Sequence, residues 1–208
     1  MRDTPLTLEI YTDYVCPWCY LASDTVARLG SRDDLQIKWV PFPLHPDTPP
    51  QGMNLKEWLG DGVDQAHQRL YGIMDRIGLE YDPDRVMTWN SRLAQELGMW
   101  GDTQAGGGAA LHRALFRAYF VHNRNISDQA VLLDCVKEAG MDVDAARTVL
   151  DTRSFSDAVD AAWQDARHKR ISGVPSFIAG SYITSGYHPV EELEKFIEYA
   201  ETQQARLG

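Results

Sequence analysis

In Leu6-Thr7-Leu8-Glu9-Ile10-Tyr11-Thr12-Asp13-Tyr14-Val15-Cys16-Pro17-Trp18-Cys19 an alternating run leads straight into a C-x-x-C. Leu6, Leu8, Ile10 and Thr12 alternate with Thr7, Glu9 and Tyr11, the two-residue period of a strand. After the second cysteine the period changes. Leu21, Ala22, Thr25, Val26 and Leu29 recur at helical spacing, and Gly30 supplies a stop. Leu35, Ile37, Trp39 and Pro41 then alternate as a second strand. The opening therefore reads strand, cysteines at a helix N-terminus, helix, strand.

Residues 41–53 hold prolines at 41, 43, 46, 49 and 50 and read as a loop. From Asn54 to about Arg170 the pattern is helical. Asn54, Asp82-Pro83, Asn90-Ser91, Ser127-Asp128 and Asp142 offer helix starts, and Gly78, Gly98 and Gly140 offer stops. Gly106-Gly107-Gly108 fits a helix poorly, so the helix carrying Leu111, Ala114, Leu115, Ala118 and Tyr119 is placed after it. Beyond Gly173, residues 176–179 and 182–184 flank Gly180-Ser181 as a β-hairpin. A last helix runs from about Pro189 to Ala205, with Val190, Leu193, Phe196, Ile197 and Ala200 inward. Strands at both ends with helices between them predict an α/β domain, residues 1–53 and 171–208, interrupted by a helical insertion, residues 54–170.

Lys and Arg number 20 against 30 Asp and Glu, a net charge of -10. That balance argues against nucleic acid or an anionic membrane as partner. No run approaches the ~18 apolar residues of a membrane span, and the first residues carry no signal-peptide core. A cytoplasmic address is the expectation. The cysteines are 16, 19 and 135, too few for a secreted disulfide framework, so the pattern points to redox chemistry or metal.

A C-x-x-C opening a helix has a chemistry of its own. Unsatisfied N–H groups and the helix dipole favour negative charge at Cys16, and hence its thiolate. Cys19, one turn on, is placed to attack a mixed disulfide at Cys16. Pro17 loses nothing by lacking an N–H in the first turn, and the neutral Trp18 adds less thiolate stabilisation than a cation would. Structural zinc would need about four ligands, and His45, His67, His112, His122, His168 and His188 form no ligand-spaced pair. An inert buried pair is the other competing reading. Cys135 lies with Val131, Leu132, Val136 and Ala139 at core spacing and reads as a buried small hydrophobe. Asp13 reads as a hydrogen-bonding residue of the strand-to-helix turn, with proton relay as the alternative. Trp58, Trp89, Trp100 and Trp163 read as core.

Five segments carry a wider resemblance: Asp13-Tyr14-Val15-Cys16-Pro17-Trp18-Cys19-Tyr20, Asn90-Ser91-Arg92-Leu93-Ala94, Leu115-Phe116-Arg117-Ala118-Tyr119-Phe120, Asn125-Ile126-Ser127-Asp128 and Gly173-Val174-Pro175-Ser176-Phe177. They span almost the whole chain. With them the sequence resembles the DsbA-type branch of the thioredoxin superfamily. Within it the chain is most similar to FrnE-like oxidoreductases, relatives of 2-hydroxychromene-2-carboxylate isomerases and kappa-class glutathione transferases. The resemblance implies a thioredoxin-like fold with a large α-helical insertion, a cis bond before Pro175, and a Val174 backbone turned toward Cys16 to meet substrate. It also suggests Asn90 as a substrate contact, where helix capping explains the residue equally well. Phe42, Leu44 and His45 belong to the loop that should reach the active-site side, as substrate rim or as packing. The isomerases and transferases usually carry Ser at the first cysteine; Cys16 here favours redox exchange with protein or small-molecule thiols and disulfides. No tightly bound cofactor is implied, and glutathione enters as redox partner or ligand. The alternatives are a glutathione-dependent isomerase or transferase acting on a small aromatic substrate, and a non-enzymatic redox-sensing module. Oligomeric state is not legible here.

Overall fold

A computed structural model of the protein describes residues 5–30, 32–49, 51–60 and 62–207; Pro50 of the expected loop and residues 1–4 and 208 of the expected terminal segments lie outside it. The chain opens with β1 (Leu6–Thr12), α1 (Pro17–Arg28) and β2 (Leu35–Pro41). There follow β3 (Met53–Asn54), α2 (Leu55–Leu59), α3 (Gly62–Ile77), β4 (Met87–Thr88), α4 (Arg92–Asp102), α5 (Ala109–Phe120), α6 (Gln129–Glu138), α7 (Val143–Thr152) and α8 (Ser156–His168). It closes with β5 (Ser176–Ala179), β6 (Tyr182–Ser185) and α9 (Val190–Leu207).

One four-stranded sheet joins the two ends of the chain in the order β2-β1-β5-β6. β1 and β2 pair in parallel, Leu6 opposite Leu35 and Thr12 opposite Pro41. β5 pairs antiparallel with β1, and β6 with β5. The alternation of β1 sorts its side chains. Leu6, Leu8 and Ile10 pack with Phe177, with Ala22 and Val26 of α1, and with Leu193, Ile197 and Ala200 of α9. Tyr11 points the other way, into a cluster with Val40, Ile171 and Ala166 of α8. The sheet is thus covered on both faces, and α8 supplies part of the second cover.

The helices between β2 and β5 build a second core from Leu97, Trp100, Leu111, Leu115, Phe116, Leu132, Val136 and Leu150. Cys19, Tyr20 and Leu21 of α1 belong to that same cluster, so the cysteine helix lies at the seam between the sheet and the helical layer. Glu96 is fully buried but paired, 2.8 Å from Arg92 Nε and 2.6 Å from Arg153 Nη2. Arg92 also donates to the Ser156 carbonyl and Asp160, tying α4 to the start of α8. A buried charge requires this much compensation.

Several helix ends fall where the sequence placed them. Asn54 accepts from the N–H groups of Lys56 and Glu57, Asp128 from Ala130, and Asp142 from Asp144 and Ala145. Others do not. Asp82-Pro83 begins a turn, with Asp84 N–H donating to Asp82 Oδ1 at 2.9 Å, and the chain continues extended into β4, which pairs with β3. Gly98 is no stop but a buried residue inside α4. A Cβ there would overlap the Tyr14 hydroxyl, so the glycine makes room for a neighbour. The helical stretch after Asp142 breaks at Arg153, which turns left-handed (φ 54°) between α7 and α8.

Candidate active site

Cys16 is the N-cap residue of α1, with extended backbone (φ -84°, ψ 117°) and Pro17 beginning the first turn. Its carbonyl accepts from Cys19 N–H at 3.0 Å and Tyr20 N–H at 3.1 Å, which starts the helix and sets the cysteines one turn apart. No side-chain hydrogen bond occupies the cap and Pro17 brings no N–H to the first turn, so what the helix offers at Cys16 is the positive end of its dipole. Both thiols are free and buried, Cys16 at 3% exposure and Cys19 at 0%.

Opposite them runs the segment that leads into β5. The Cys16 thiol donates to the Val174 carbonyl at 3.5 Å. The Val174–Pro175 peptide is cis, and Pro175 is buried, its carbonyl accepting from Gly186 N–H at 2.8 Å. Pro17 and Trp18 are half-buried, with Trp18 packed against the helical-layer core.

Beneath the cysteines lies a polar layer. Burial pushes the Cys19 thiol well above its usual range, and the adjacent Cys16 adds to this; the Thr12 side chain and the Asp13 backbone pull the other way. The Thr12 hydroxyl lies beside that thiol, yet forms no well-directed hydrogen bond among the described residues. Asp13 is also buried, which raises its carboxyl to about 6 against the pull of its donors. Those donors are the Ser91 and Gln95 side chains and the N–H groups of Val15 (3.2 Å) and Leu44 (3.1 Å). Asp13 therefore fastens the cysteine turn to the loop after β2 and to the start of α4.

Tyr14 heads a second array. Its hydroxyl is 2.6 Å from His112 Nδ1, and His112 Nε2 is 3.0 Å from Asp102 Oδ1. A carboxylate only accepts, so His112 Nε2 carries the hydrogen in its contact with Asp102, and Nδ1 is the ring atom that meets the Tyr14 hydroxyl. In the sequence His112 stands out only as a possible metal ligand, and Thr12, Tyr14 and Asp102 carry no signal of this array. Tyr14 stood in the motif stretch, but a partner 98 positions away leaves no periodic trace.

The remaining sequence candidates lie around this centre. Phe42 is half-buried against the cluster on the second sheet face, its N–H donating to Thr12 and its carbonyl accepting from Gln95. Asn90 accepts from Arg92 N–H and donates to the carbonyls of Pro46 and Thr48, which uses its amide to pin the loop onto α4. His45 stands edge-on to Trp58 at 4.4 Å, its pKa lowered by burial. Trp100 is buried, Trp163 is half-buried and donates to Gln95, and Trp58 is exposed rather than core. Cys135 is 1% exposed, with burial raising its thiol to about 12, the buried hydrophobe its spacing predicts. Among the described residues no three His, Cys, Asp or Glu side chains gather as a metal site, and no helix is long and apolar enough to cross a membrane.

Comparison with known proteins gives a consistent set of likenesses. Residues 7–198 match the family model of the DSBA-like thioredoxin domain. The uncharacterized protein YwbO of Bacillus subtilis is 26% identical over 197 residues, covering 91% of this chain and 94% of that protein. A probable DsbA oxidoreductase from Streptomyces coelicolor superposes with a TM-score of 0.85 at 23% identity, over 95% of this chain and 90% of the other. The cytosolic disulfide reductase DsbM from Pseudomonas aeruginosa, solved with GSH, gives a TM-score of 0.66 at 18% identity, over 97% and 99%.

Proposed function

The chain belongs to the DSBA-like thioredoxin domain family, and from that premise we propose that it exchanges disulfides through the Cys16-Pro17-Trp18-Cys19 dithiol. The observation that carries this reading is the Cys16 sulfur at the α1 N-terminus, 3.5 Å from the Val174 carbonyl, with Cys19 one turn behind it. In the first step the Cys16 thiolate attacks a substrate disulfide. One S–S bond forms to Cys16 and the other half of the substrate leaves as a thiolate. In the second step Cys19 attacks the Cys16 sulfur, the Cys16–Cys19 disulfide forms, and the second substrate thiol departs. The substrate has then gained two electrons, and an external thiol returns the enzyme to its dithiol.

Val174 offers backbone to an extended substrate beside the reacting sulfur, Pro175 fixes that backbone, and Phe42 and Asn90 shape the rim. Residues 1–53 and 171–208 form the catalytic unit in this reading, and the insertion, residues 54–170, its other wall. Glutathione is the proposed reductant, in keeping with the GSH named in the DsbM structure. The same likeness supports a cytosolic setting, where the glutathione pool keeps such a pair reduced and favours reduction over net oxidation.

The test is mass spectrometry of Cys19→Ser after incubation with a disulfide substrate. The variant is expected to accumulate a substrate adduct on Cys16 and lose multiple turnover, and Cys16→Ser to form no adduct. Undiminished turnover by Cys19→Ser would overturn the dithiol mechanism in favour of one-cysteine glutathione chemistry.

A further inference from the structure

The wall that faces Cys16 is a stretch of chain with little structure of its own. Residues 173–175 belong to no strand or helix, and Val174 is half-buried with its carbonyl 3.5 Å from the Cys16 sulfur. Among the described residues the Val174 N–H has no hydrogen-bond partner. The position of this loop therefore comes from the residues that hold it on either side.

One short segment, residues 184–188, does that holding and reaches the cysteine helix as well. Ser185 of β6 stands opposite Ser176 of β5 in the sheet register. Ser176 is 1% exposed, and its hydroxyl donates to the Gly173 carbonyl at 2.8 Å. Its hydrogen is spent there, so in the 2.8 Å contact between the two serines Ser185 is the donor. A directed chain thus runs from Ser185 through Ser176 to the Gly173 carbonyl. Gly186 N–H donates to the Pro175 carbonyl at 2.8 Å, which grips the loop on the other side of Val174. The His188 carbonyl accepts from the buried Thr25 hydroxyl of α1 at 3.1 Å. The Thr184 hydroxyl and His188 Nε2, 2.9 Å apart, close the segment on itself. The cysteine helix and the loop opposite it hang on the same piece of chain.

We propose that residues 184–188 clamp the Val174 backbone in register with Cys16 for an extended polypeptide disulfide, with Ser176, Ser185 and Thr25 as positioning residues. The inference rests on the dithiol-exchange reading above and narrows its substrate to a polypeptide. An N–H without a partner and a carbonyl on one residue are what an extended strand pairs with. The Cys16 thiol holds that carbonyl now, and releases it on becoming a thiolate. With the loop already fixed, binding requires no further ordering of Gly173 and Val174. Without the clamp that ordering falls on the substrate, which weakens binding and leaves the exchange at sulfur unchanged.

The experiment compares two disulfides in steady state on the full chain, with reduced glutathione as reductant. One is an unstructured synthetic peptide whose single cysteine is disulfide-linked to mercaptoethanol. The other is hydroxyethyl disulfide, which has the same leaving thiol and no peptide backbone. Ser176→Ala is expected to raise KM for the peptide by roughly three- to tenfold, about the worth of one hydrogen bond, with kcat little changed. Ser185→Ala leaves the last link in place and should cost less, and should add nothing on top of Ser176→Ala. Thr25→Val, which keeps the shape of the side chain, should also raise KM for the peptide, and Thr25→Ser should restore it. KM for hydroxyethyl disulfide and the rate of Cys16 alkylation by iodoacetamide are expected to stay at wild-type values throughout. Wild-type KM for the peptide in Ser176→Ala, or in Thr25→Val should Ser176→Ala fail to fold, would overturn the clamp and leave disulfide exchange intact. An equal rise for both disulfides, the mark of general loosening, would overturn it too. A wild type that turns over neither disulfide, although iodoacetamide reaches Cys16, would overturn the exchange reading and the clamp with it.

Discussion

Asp13 carries the clearest electrostatic consequence of the site. Its carboxyl sits at about 6 because burial outweighs the hydrogen bonds it accepts. A carboxyl raised in the folded state holds its proton more tightly there than in the unfolded chain, so its ionisation opposes folding. The contribution is present below about pH 4 and is lost as pH rises through 6, at a cost of roughly 2–3 kcal/mol for a shift of this size. Asp13→Asn cannot titrate. Urea denaturation of both proteins should therefore show wild type better relative to Asp13→Asn at pH 4 than at pH 7, by about that amount; a difference unchanged with pH would refute the assignment. The turn role of Asp13 was readable beforehand, because an acid just before a helix start has few other uses. Its donors were not, since Leu44, Ser91 and Gln95 come from two later elements.

Among the elements, α4 teaches most. A glycine near the middle of a helical pattern suggests a terminus, and Gly78 and Gly140, both at positive φ, follow that rule at the ends of α3 and α6. Gly98 breaks it, because what selects glycine there is the Tyr14 hydroxyl from a different part of the chain. Helix propensity alone would make Gly98→Ala stabilising by about 1 kcal/mol. Overlap with Tyr14 reverses the sign, so chemical denaturation should find the variant less stable by roughly 1–3 kcal/mol. A gain in stability would mean that Tyr14 does not occupy that space. The same limit explains the residues around Asp82-Pro83. The dipeptide suits a helix start or a turn, and only the pairing of β4 with β3 selects the turn.

For the molecule as a whole, the parts with local signatures were legible: β1, the cysteine-bearing α1, β2, the closing hairpin and α9. Alternation and helical spacing report which face is buried, and in these segments both faces meet one another in the sheet. What periodicity could not show is that α1 contributes to two cores, so that Cys19 and Tyr20 are packed by helices from the insertion. Nor could it show the polar array from Tyr14 to Asp102. The cysteine pair consequently lies at a seam, between the segment that carries Val174 into β5 and a helical layer that encloses Cys19. The central claim is that this pair cycles between dithiol and disulfide. The most direct measurement is equilibration of wild type across a series of reduced-to-oxidised glutathione ratios, followed by alkylation and intact mass. The account predicts one reversible two-electron transition between free thiols and a Cys16–Cys19 bond, with Cys135 reduced throughout. Stable retention of glutathione on Cys16, with no internal bond at any ratio, would contradict it.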